Sequence, residues 1–102
     1  MPKLKQDIFR KNRGGYSRLL IVSCGHCGNL VCNYQKDGAG RLKRMYVDRI
    51  LKPNIIWKNN TKLTCKKCKN WLGVGAIYEK EKRKCFILFQ DVLNKKIVKN
   101  KN

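Results

Sequence analysis

The chain has 102 residues, of which 25 are Lys or Arg and 6 are Asp or Glu, and its formal net charge is +19. This length, with a hydrophobic content of 42%, allows one domain with a modest core. No run approaches the roughly 18 apolar residues of a membrane span, and charged residues follow Met1 where a signal peptide would be apolar. The composition therefore excludes a membrane protein and favours the cytoplasm, or the nucleus if the source is a eukaryote.

The first segment, residues 1–18, is basic and contains the adjacent glycines Gly14 and Gly15. We expect it to be an extended arm that is ordered only in part or on binding. Residues 19–93 then form the predicted domain, and residues 94–102 form a polar, basic tail without secondary structure.

The sequence of the first half of the domain predicts strands on both sides of a pair of cysteines. The apolar residues 19–22 and 30–34 predict two strands that enter and leave this pair. An Asp-Gly turn at 37–38 is a strong hairpin signal. Residues 41–51 have an apolar spacing that fits either a helix or a strand. Because the turn needs a partner strand, we expect a strand that pairs with residues 30–34.

The second half of the domain repeats this plan around a second pair of cysteines. Residues 55–57 are a short strand or a packed loop, and residues 62–64 lead into the cysteine pair. Residues 74–78 leave it as a predicted strand. After a charged turn, residues 83–90 hold a long apolar run, which is typical of a central strand. The whole pattern predicts a mainly β fold with two antiparallel hairpin sheets.

The strongest site signal is a set of four cysteines in two Cys-x-x-Cys pairs, here called knuckles: Cys24, Cys27, Cys65 and Cys68. Two knuckles are the spacing of a structural zinc site with four thiolate ligands. Residues 28–64 separate them, which is more than the roughly 15–20 residues of a compact zinc ribbon. We therefore expect one structural Zn²⁺ that joins the two sheets, in an elaborated zinc ribbon or a related fold.

Two disulfides or a redox pair are the alternatives to a metal. Disulfides suit a secreted protein, whereas cytosolic thiols stay reduced, and a single Cys-x-x-Cys can be redox-active. A metal held by four thiolates has no open coordination position, so it stabilises the fold without activating water. His26 is expected to point to solvent. Gly28 suits the left-handed backbone after a knuckle, whereas Lys69 would cost about 1 kcal/mol there.

The excess of basic residues predicts a polyanionic partner. The pI of 10.1 exceeds the value near 9 that marks nucleic-acid-binding domains, and self-repulsion disfavours the compact state unless a polyanion screens it. Solvated surface lysines and an anionic membrane are the alternatives, but no basic amphipathic helix accompanies the charge. The predicted nucleic-acid contacts are Arg13, Tyr16, Arg18, Arg41, Lys43, Arg44, Trp57, Lys58, Lys66, Lys67 and Lys69.

The aromatic residues among these contacts are the candidates for base stacking. Tyr16 lies in the basic arm and Trp57 stands beside Lys58, so each could stack a base while a cation holds a phosphate. A tryptophan can equally close a small core. We expect that structural role for Trp71, which follows the second knuckle, and both roles stay open for Trp57.

Residues 21–30 and 63–73, which carry the two knuckles, resemble the β-tent zinc proteins. In that group two knuckles at the tips of β-hairpins share one zinc between splayed sheets. The chain is similar to the Yippee-like pattern at Leu72-Gly73, which follow the second knuckle, and at Phe86-Ile87. The C-terminal domain of the RIG-I-like RNA sensors is similar in outline and binds RNA on a basic face. The resemblance implies a β-tent fold with one zinc, and it carries over no RNA contact.

Methionine-R-sulfoxide reductases share the β-tent fold and place a reactive cysteine on a strand after the second knuckle, where this chain has Cys85. The polar residues that follow the catalytic cysteine in that family are absent, since Phe86 to Phe89 are apolar. We interpret Cys85 and Cys32 as buried core thiols. An alternative is that these two cysteines lie close together.

These features predict a structural-zinc, strongly basic RNA-binding protein, ribosomal or ribosome-associated, with rRNA as the expected partner and another nucleic acid as the alternative. We expect no catalytic residues. Two other functions stay open: a thiol redox enzyme that uses Cys85, and a zinc adaptor that binds an acidic protein. Cys85→Ser would abolish activity in the first case, and binding that resists nuclease would favour the second.

Overall fold

The computed structural model describes residues 7–98, which form two four-stranded sheets. All strand pairings are antiparallel. The elements in chain order are α1 (Ile8–Asn12), β1 (Ser17–Cys24), β2 (Leu30–Asp37), β3 (Arg44–Tyr46), a 3₁₀ turn (Val47–Arg49), β4 (Ile50–Lys52), β5 (Lys62–Thr64), β6 (Trp71–Tyr78), β7 (Arg83–Leu88) and β8 (Leu93–Val98). Within residues 7–98, no helix has the length and hydrophobicity that crossing a membrane requires.

The strand order is β4-β2-β1-β8 in the first sheet and β3-β7-β6-β5 in the second. In β1 the side chains of Leu20, Val22 and Cys24 are buried, because the two-residue period of a strand turns alternate side chains to the core. β7, which we expected to be central, lies between β3 and β6. The predicted mainly β fold with two antiparallel sheets is confirmed.

One hydrophobic cluster joins the two sheets. Val22 comes from the first sheet, and Met45 and Phe86 come from the second. Burying an apolar side chain of this size contributes about 1.5–3 kcal/mol. The same cluster includes Cys24 and Cys65, one from each knuckle. The core therefore extends to the knuckles and fixes where they meet.

Residues 41–51 do not form the single strand that we predicted. β3 pairs with β7 of the second sheet, β4 pairs with β2 of the first, and the 3₁₀ turn separates them. The chain changes sheets here because Tyr46 is held from both sides. Its backbone pairs with Cys85, and its amide donates to the hydroxyl of Tyr34 at 2.8 Å. The Asp-Gly turn ends β2 and does not close the predicted hairpin.

Both ends of the described chain have more secondary structure than we predicted. α1 replaces part of the extended arm, and the side chain of Asp7 caps it by accepting from two helix amides at 3.1 and 3.2 Å. Residues 94–98, predicted as tail, belong to β8. They form a strand because β8 pairs with the backbone of β1, which would otherwise be left at a sheet edge. Residues 1–6 and 99–102 lie outside the described residues.

Candidate metal centre and basic surface

Each knuckle is a tight turn that is closed by two backbone hydrogen bonds. In the first knuckle the amide of Gly28 donates to the carbonyl of Cys24, and the amide of Cys24 donates to the carbonyl of Asn29, both at 2.8 Å. The same two bonds recur around Cys65 in the second knuckle, at 3.0 and 2.9 Å. Both turns share the pattern Cys-x-x-Cys-x-Asn, a signal in the sequence that we missed.

The four knuckle sulfurs lie within 4.8 Å of one another. The Sγ atoms of Cys24 and Cys68 are 3.6 Å apart, and those of Cys27 and Cys65 are 3.5 Å apart. Sulfurs placed about 2.3 Å from a central ion are roughly 3.8 Å apart in a tetrahedron, whereas bonded sulfurs are about 2.05 Å apart. All four are free thiols. The cluster therefore fits a metal ion with four sulfur ligands and does not fit two disulfides.

Backbone amides favour the thiolate form of two of these cysteines, whereas at Cys68 the amide of Asn70 is outweighed by burial and the neighbouring sulfurs, which raise the pKa to about 12. The amide of Cys27 lowers the pKa of Cys24, and the amide of Cys68 lowers the pKa of Cys65 to about 6, in both cases against the opposing effect of burial. The thiolate is the form that binds a metal. Since four thiolates at this spacing repel one another, a cation among them is the species that stabilises the cluster.

The residue after each knuckle has a left-handed backbone, which the sequence favoured at Gly28 and disfavoured at Lys69. Gly28 has a φ of 80° and Lys69 has a φ of 65°. The second value costs a non-glycine residue about 1 kcal/mol, so the tight turn at Cys65 is formed against a local strain. His26 is exposed, as predicted, and does not belong to the sulfur cluster.

The first knuckle also packs against the chain that leads into β8. The amide of Gly25 donates to the carbonyl of Val92 at 2.8 Å. A Cβ atom at Gly25 would lie 3.0 Å from that oxygen, which is tighter than an ordinary van der Waals contact. The glycine at this position therefore allows β8 to approach the knuckle closely and to hold it in place.

A second feature, which the sequence did not reveal to us, is a partly buried network of arginines and carboxylates. Arg49 is 1% exposed, donates to Asp37 at 2.8 Å and also pairs with Asp7. Arg13, in the segment after α1, binds Glu81 at 2.8 Å. These contacts fasten the predicted arm onto both sheets, which explains why it is not extended.

Arg83 lies at the centre of the same network. Its guanidinium is 2.7 Å from Asp48 and 3.1 Å from Glu81. It also lies over two rings, 4.0 Å from the centroid of Phe9 and 3.8 Å from that of Tyr46. A desolvated cation between aromatic faces is attracted by both. Arg83 therefore joins α1 to the second sheet.

The network changes the charge of the surface. Three arginines pair with four of the six acidic residues of the sequence. The pKa of Asp7 is lowered to about 2 because Arg49 donates to it, and this keeps the carboxylate charged. The remaining acids, Glu79 and Asp91, are exposed. Most of the basic residues thus have no internal acid that could neutralise them.

Nine of the predicted nucleic-acid contacts are exposed: Tyr16, Arg18, Arg41, Lys43, Arg44, Lys58, Lys66, Lys67 and Lys69. Arg41, Lys43 and Arg44 lie together and line a cavity of about 220 Å³, in which Tyr46 and Tyr78 also take part. The guanidinium of Arg44 is 4.5 Å from the ring centroid of Tyr78. Arg13, by contrast, is engaged in its ion pair with Glu81.

Trp57 has one of the two environments that we left open, whereas Trp71 differs from what we predicted. Trp57 is half-buried in a packed loop, where its indole N–H donates to the carbonyl of Cys85 at 2.8 Å. Trp71, which we expected to close the core, is 56% exposed, and the ammonium of Lys62 lies 3.3 Å from its ring centroid. The prediction for Trp71 was wrong because its neighbour Leu72 fills the core position.

The two remaining cysteines are buried, as we predicted. The Sγ of Cys32 is 3.6 Å from the sulfur of Met45, and burial raises the pKa of Cys32 to about 12. Burial also raises the pKa of Cys85. Neither environment favours a thiolate at neutral pH.

Comparison of this chain with protein-family models, with curated proteins and with solved structures gives no match. The resemblance to the β-tent proteins therefore rests on the two knuckle segments and on the residues that follow them. A four-cysteine cluster that could hold a metal, within a mainly β fold of two antiparallel sheets, is what the structure itself establishes.

Proposed function

We propose that this protein is a structural-zinc, strongly basic RNA-binding protein that is ribosomal or ribosome-associated. The observation that carries the proposal is the pairing of four of the six acids with Arg13, Arg49 and Arg83. The acids outside this network, Glu79 and Asp91, are exposed. A surface field of one sign attracts a polyanion and retains it through the release of counterions.

Zinc is the ion that we propose for the four cysteines. Four thiolates in a tetrahedron are typical of structural zinc, and the closed coordination leaves no position for a substrate. Structural zinc supplies about 10–16 kcal/mol of apparent binding energy, which is large beside the stability of a domain of this size. A β-tent arrangement, with the ion between two sheets, is part of this proposal.

RNA fits the charge better than the other partners because the exposed cations lie on both sheets. Arg18 is on β1 of the first sheet, and Arg44 is on β3 of the second. An RNA that wraps the domain would reach both through its phosphates. A thiol enzyme based on Cys85 is disfavoured, since this side chain is 1% exposed and burial raises its pKa.

A binding titration of the zinc-loaded protein tests the RNA proposal against the acidic-protein alternative. Labelled fragments of ribosomal RNA and labelled polyglutamate serve as the two polyanions. We expect the RNA to bind more tightly, and log Kd to rise linearly with log salt because phosphates are neutralised. Tighter binding of polyglutamate, or RNA binding that does not respond to salt, would overturn the proposal.

Sedimentation tests the ribosomal part separately. Zinc-loaded protein is added to a cell extract, with and without ribonuclease and at two salt concentrations. We expect the protein to migrate with ribosomal particles, to lose that migration after ribonuclease and to lose part of it at high salt. A protein that stays at the top of the gradient at low salt would contradict ribosome association.

A further inference from the structure

A row of four side chains crosses the second sheet from edge to edge. Arg44 pairs with Ile87, Ile87 pairs with Val74, and Val74 pairs with Lys62. Partners in antiparallel register point to the same face of a sheet. Ile87 is 43% exposed, Val74 is half-buried, and both terminal cations are exposed. The sheet is therefore open along this row, with an apolar middle and a positive charge at each end.

Trp71 extends the row at the β5 end. A bulge between Leu63 and Thr64 shifts the pairing so that Trp71 lies opposite Thr64, which shares a face with Lys62. The shift allows Leu72 to stay in the core while Trp71 turns outward. The ammonium of Lys62 covers one face of the indole at 3.3 Å, and more than half of the side chain is still exposed.

A second pair of a cation and an aromatic ring marks the other end of the row. Arg44 lies 4.5 Å above the ring of Tyr78, and Tyr78 pairs in register with Arg83 on the same face. Both Arg44 and Tyr78 line the 220 Å³ cavity, together with Arg41 and Lys43. The row thus leads from an exposed indole to a cavity rich in guanidinium and ammonium groups.

The opposite face of this sheet is not available in the same way. Phe86 and Met45 pair in register there and belong to the core. A Cβ atom at Gly75, which pairs with Phe86, would lie 2.0 Å from the carbonyl of Lys58, so the loop that carries Trp57 packs against that face. The tryptophan that is free to meet a ligand is therefore Trp71.

We propose that this row, called the sheet platform and defined by Lys62, Trp71, Val74, Ile87, Arg44 and Tyr78, binds an RNA strand that is not base-paired. The inference rests on the proposed function and specifies the form of the RNA. Bases stack on Trp71 and Tyr78 and cover the aliphatic middle, while the terminal cations move from the rings to phosphates. In a duplex the base faces are already stacked and cannot reach the rings. A four-stranded sheet accommodates two or three bases in this way.

Binding of a short oligouridine and of a blunt RNA duplex of equal length tests the sheet platform. Trp71→Ala is expected to weaken oligouridine binding about tenfold, because one stacking contact is lost, and to leave duplex binding within about twofold. Trp71→Phe keeps an aromatic ring and should restore most of the affinity. Lys58→Gln, an exposed cation on the far side of the sheet, serves as the control and should weaken both RNAs equally.

The outcomes separate this inference from the function on which it rests. If the wild-type protein binds neither RNA, both the proposed function and the sheet platform are wrong. If the wild type binds RNA and Trp71→Ala binds both forms like the wild type, the sheet platform alone is wrong. The same holds if Trp71→Ala weakens both forms equally. Circular dichroism and metal content of each variant confirm that the fold is retained.

Discussion

The guanidinium of Arg49 donates to the carboxylate of Asp37 at 2.8 Å, and the two side chains are only 1% and 4% exposed. The same carboxylate accepts from Ser17 at 2.6 Å and from Gln35 at 2.9 Å. Because burying two charges is costly, the net contribution of such a pair to stability is small. Removing one partner is a different matter, since the other charge is then left inside the protein without compensation.

Asp37→Asn is therefore expected to lower the free energy of unfolding by about 3 kcal/mol. The amide keeps the shape of the side chain but leaves the charge of Arg49 with Asp7 as its remaining partner in the network. Urea unfolding, followed by tryptophan fluorescence, measures the effect. Glu79→Gln removes an exposed acid and is the matched control, with an expected change within about 0.5 kcal/mol. Equal effects of the two substitutions would contradict the buried-pair argument.

The pH dependence of stability should reflect the ionisation of Asp7. Its pKa lies at about 2, below the ordinary value of 3.8, because Arg49 and the amides of α1 donate to it. The native state then binds fewer protons than the unfolded state, so Asp7 contributes stability above about pH 4 and loses it as the pH falls toward 2. The stability difference between wild type and Asp7→Asn should be constant from about pH 7 to 5 and shrink below about pH 4.

Urea unfolding of both proteins at a series of pH values checks this prediction. Both proteins are kept in excess Zn²⁺, and the comparison uses the pH values at which metal analysis shows one ion per chain, because loss of the metal is expected to unfold the domain. If the difference in the free energy of unfolding already shrinks near neutral pH, a titratable group other than Asp7 causes it. If the difference persists unchanged below the pKa of Asp7, the side chain stabilises the fold through its shape and not through its charge.

The parts of the fold that could be predicted from the sequence are those that depend on neighbouring residues. The two knuckles, the left-handed Gly28 and the apolar strand β7 follow from local spacing and residue type. Residues 41–51 could not be assigned, because the partners of Met45 and Tyr46 are Phe86 and Cys85, on a distant strand. Local apolar spacing carries no information about which sheet a strand will join.

Prediction of the binding surface from the sequence is limited for the same reason. The net charge indicated a polyanionic partner, but it did not show which acids form ion pairs with arginines of the same chain. Arg13 and Glu81 are 68 residues apart in the sequence, and no spacing rule relates them. The exposure of Trp71 depends on the bulge opposite Thr64 as well as on strand alternation. Contacts between distant segments therefore decide which of the many cations and aromatics are free to bind.

Lys69→Gly should raise the free energy of unfolding by up to about 1 kcal/mol. Lys69 has a φ of 65°, a conformation that costs residues other than glycine about 1 kcal/mol, although the greater freedom of glycine in the unfolded chain offsets part of the gain. Gly28→Ala, at the matching place of the first knuckle, should lower stability by a similar amount. Thermal unfolding of the zinc-loaded variants measures both. A stabilised Gly28→Ala would contradict the strain argument.

Removal of the metal should unfold the domain. With one ion bound to four thiolates, native mass spectrometry is expected to show one zinc per chain, and a strong chelator should abolish the β signal in circular dichroism. Cys68→Ser should lose the ion, because a ligand is missing. Cys85→Ala is the matched control, since Cys85 lies outside the sulfur cluster, and it should keep one zinc. A Cys68→Ser variant that binds zinc like the wild type, or a metal-free wild type that stays folded, would show that the four sulfurs do not form the structural centre of this fold.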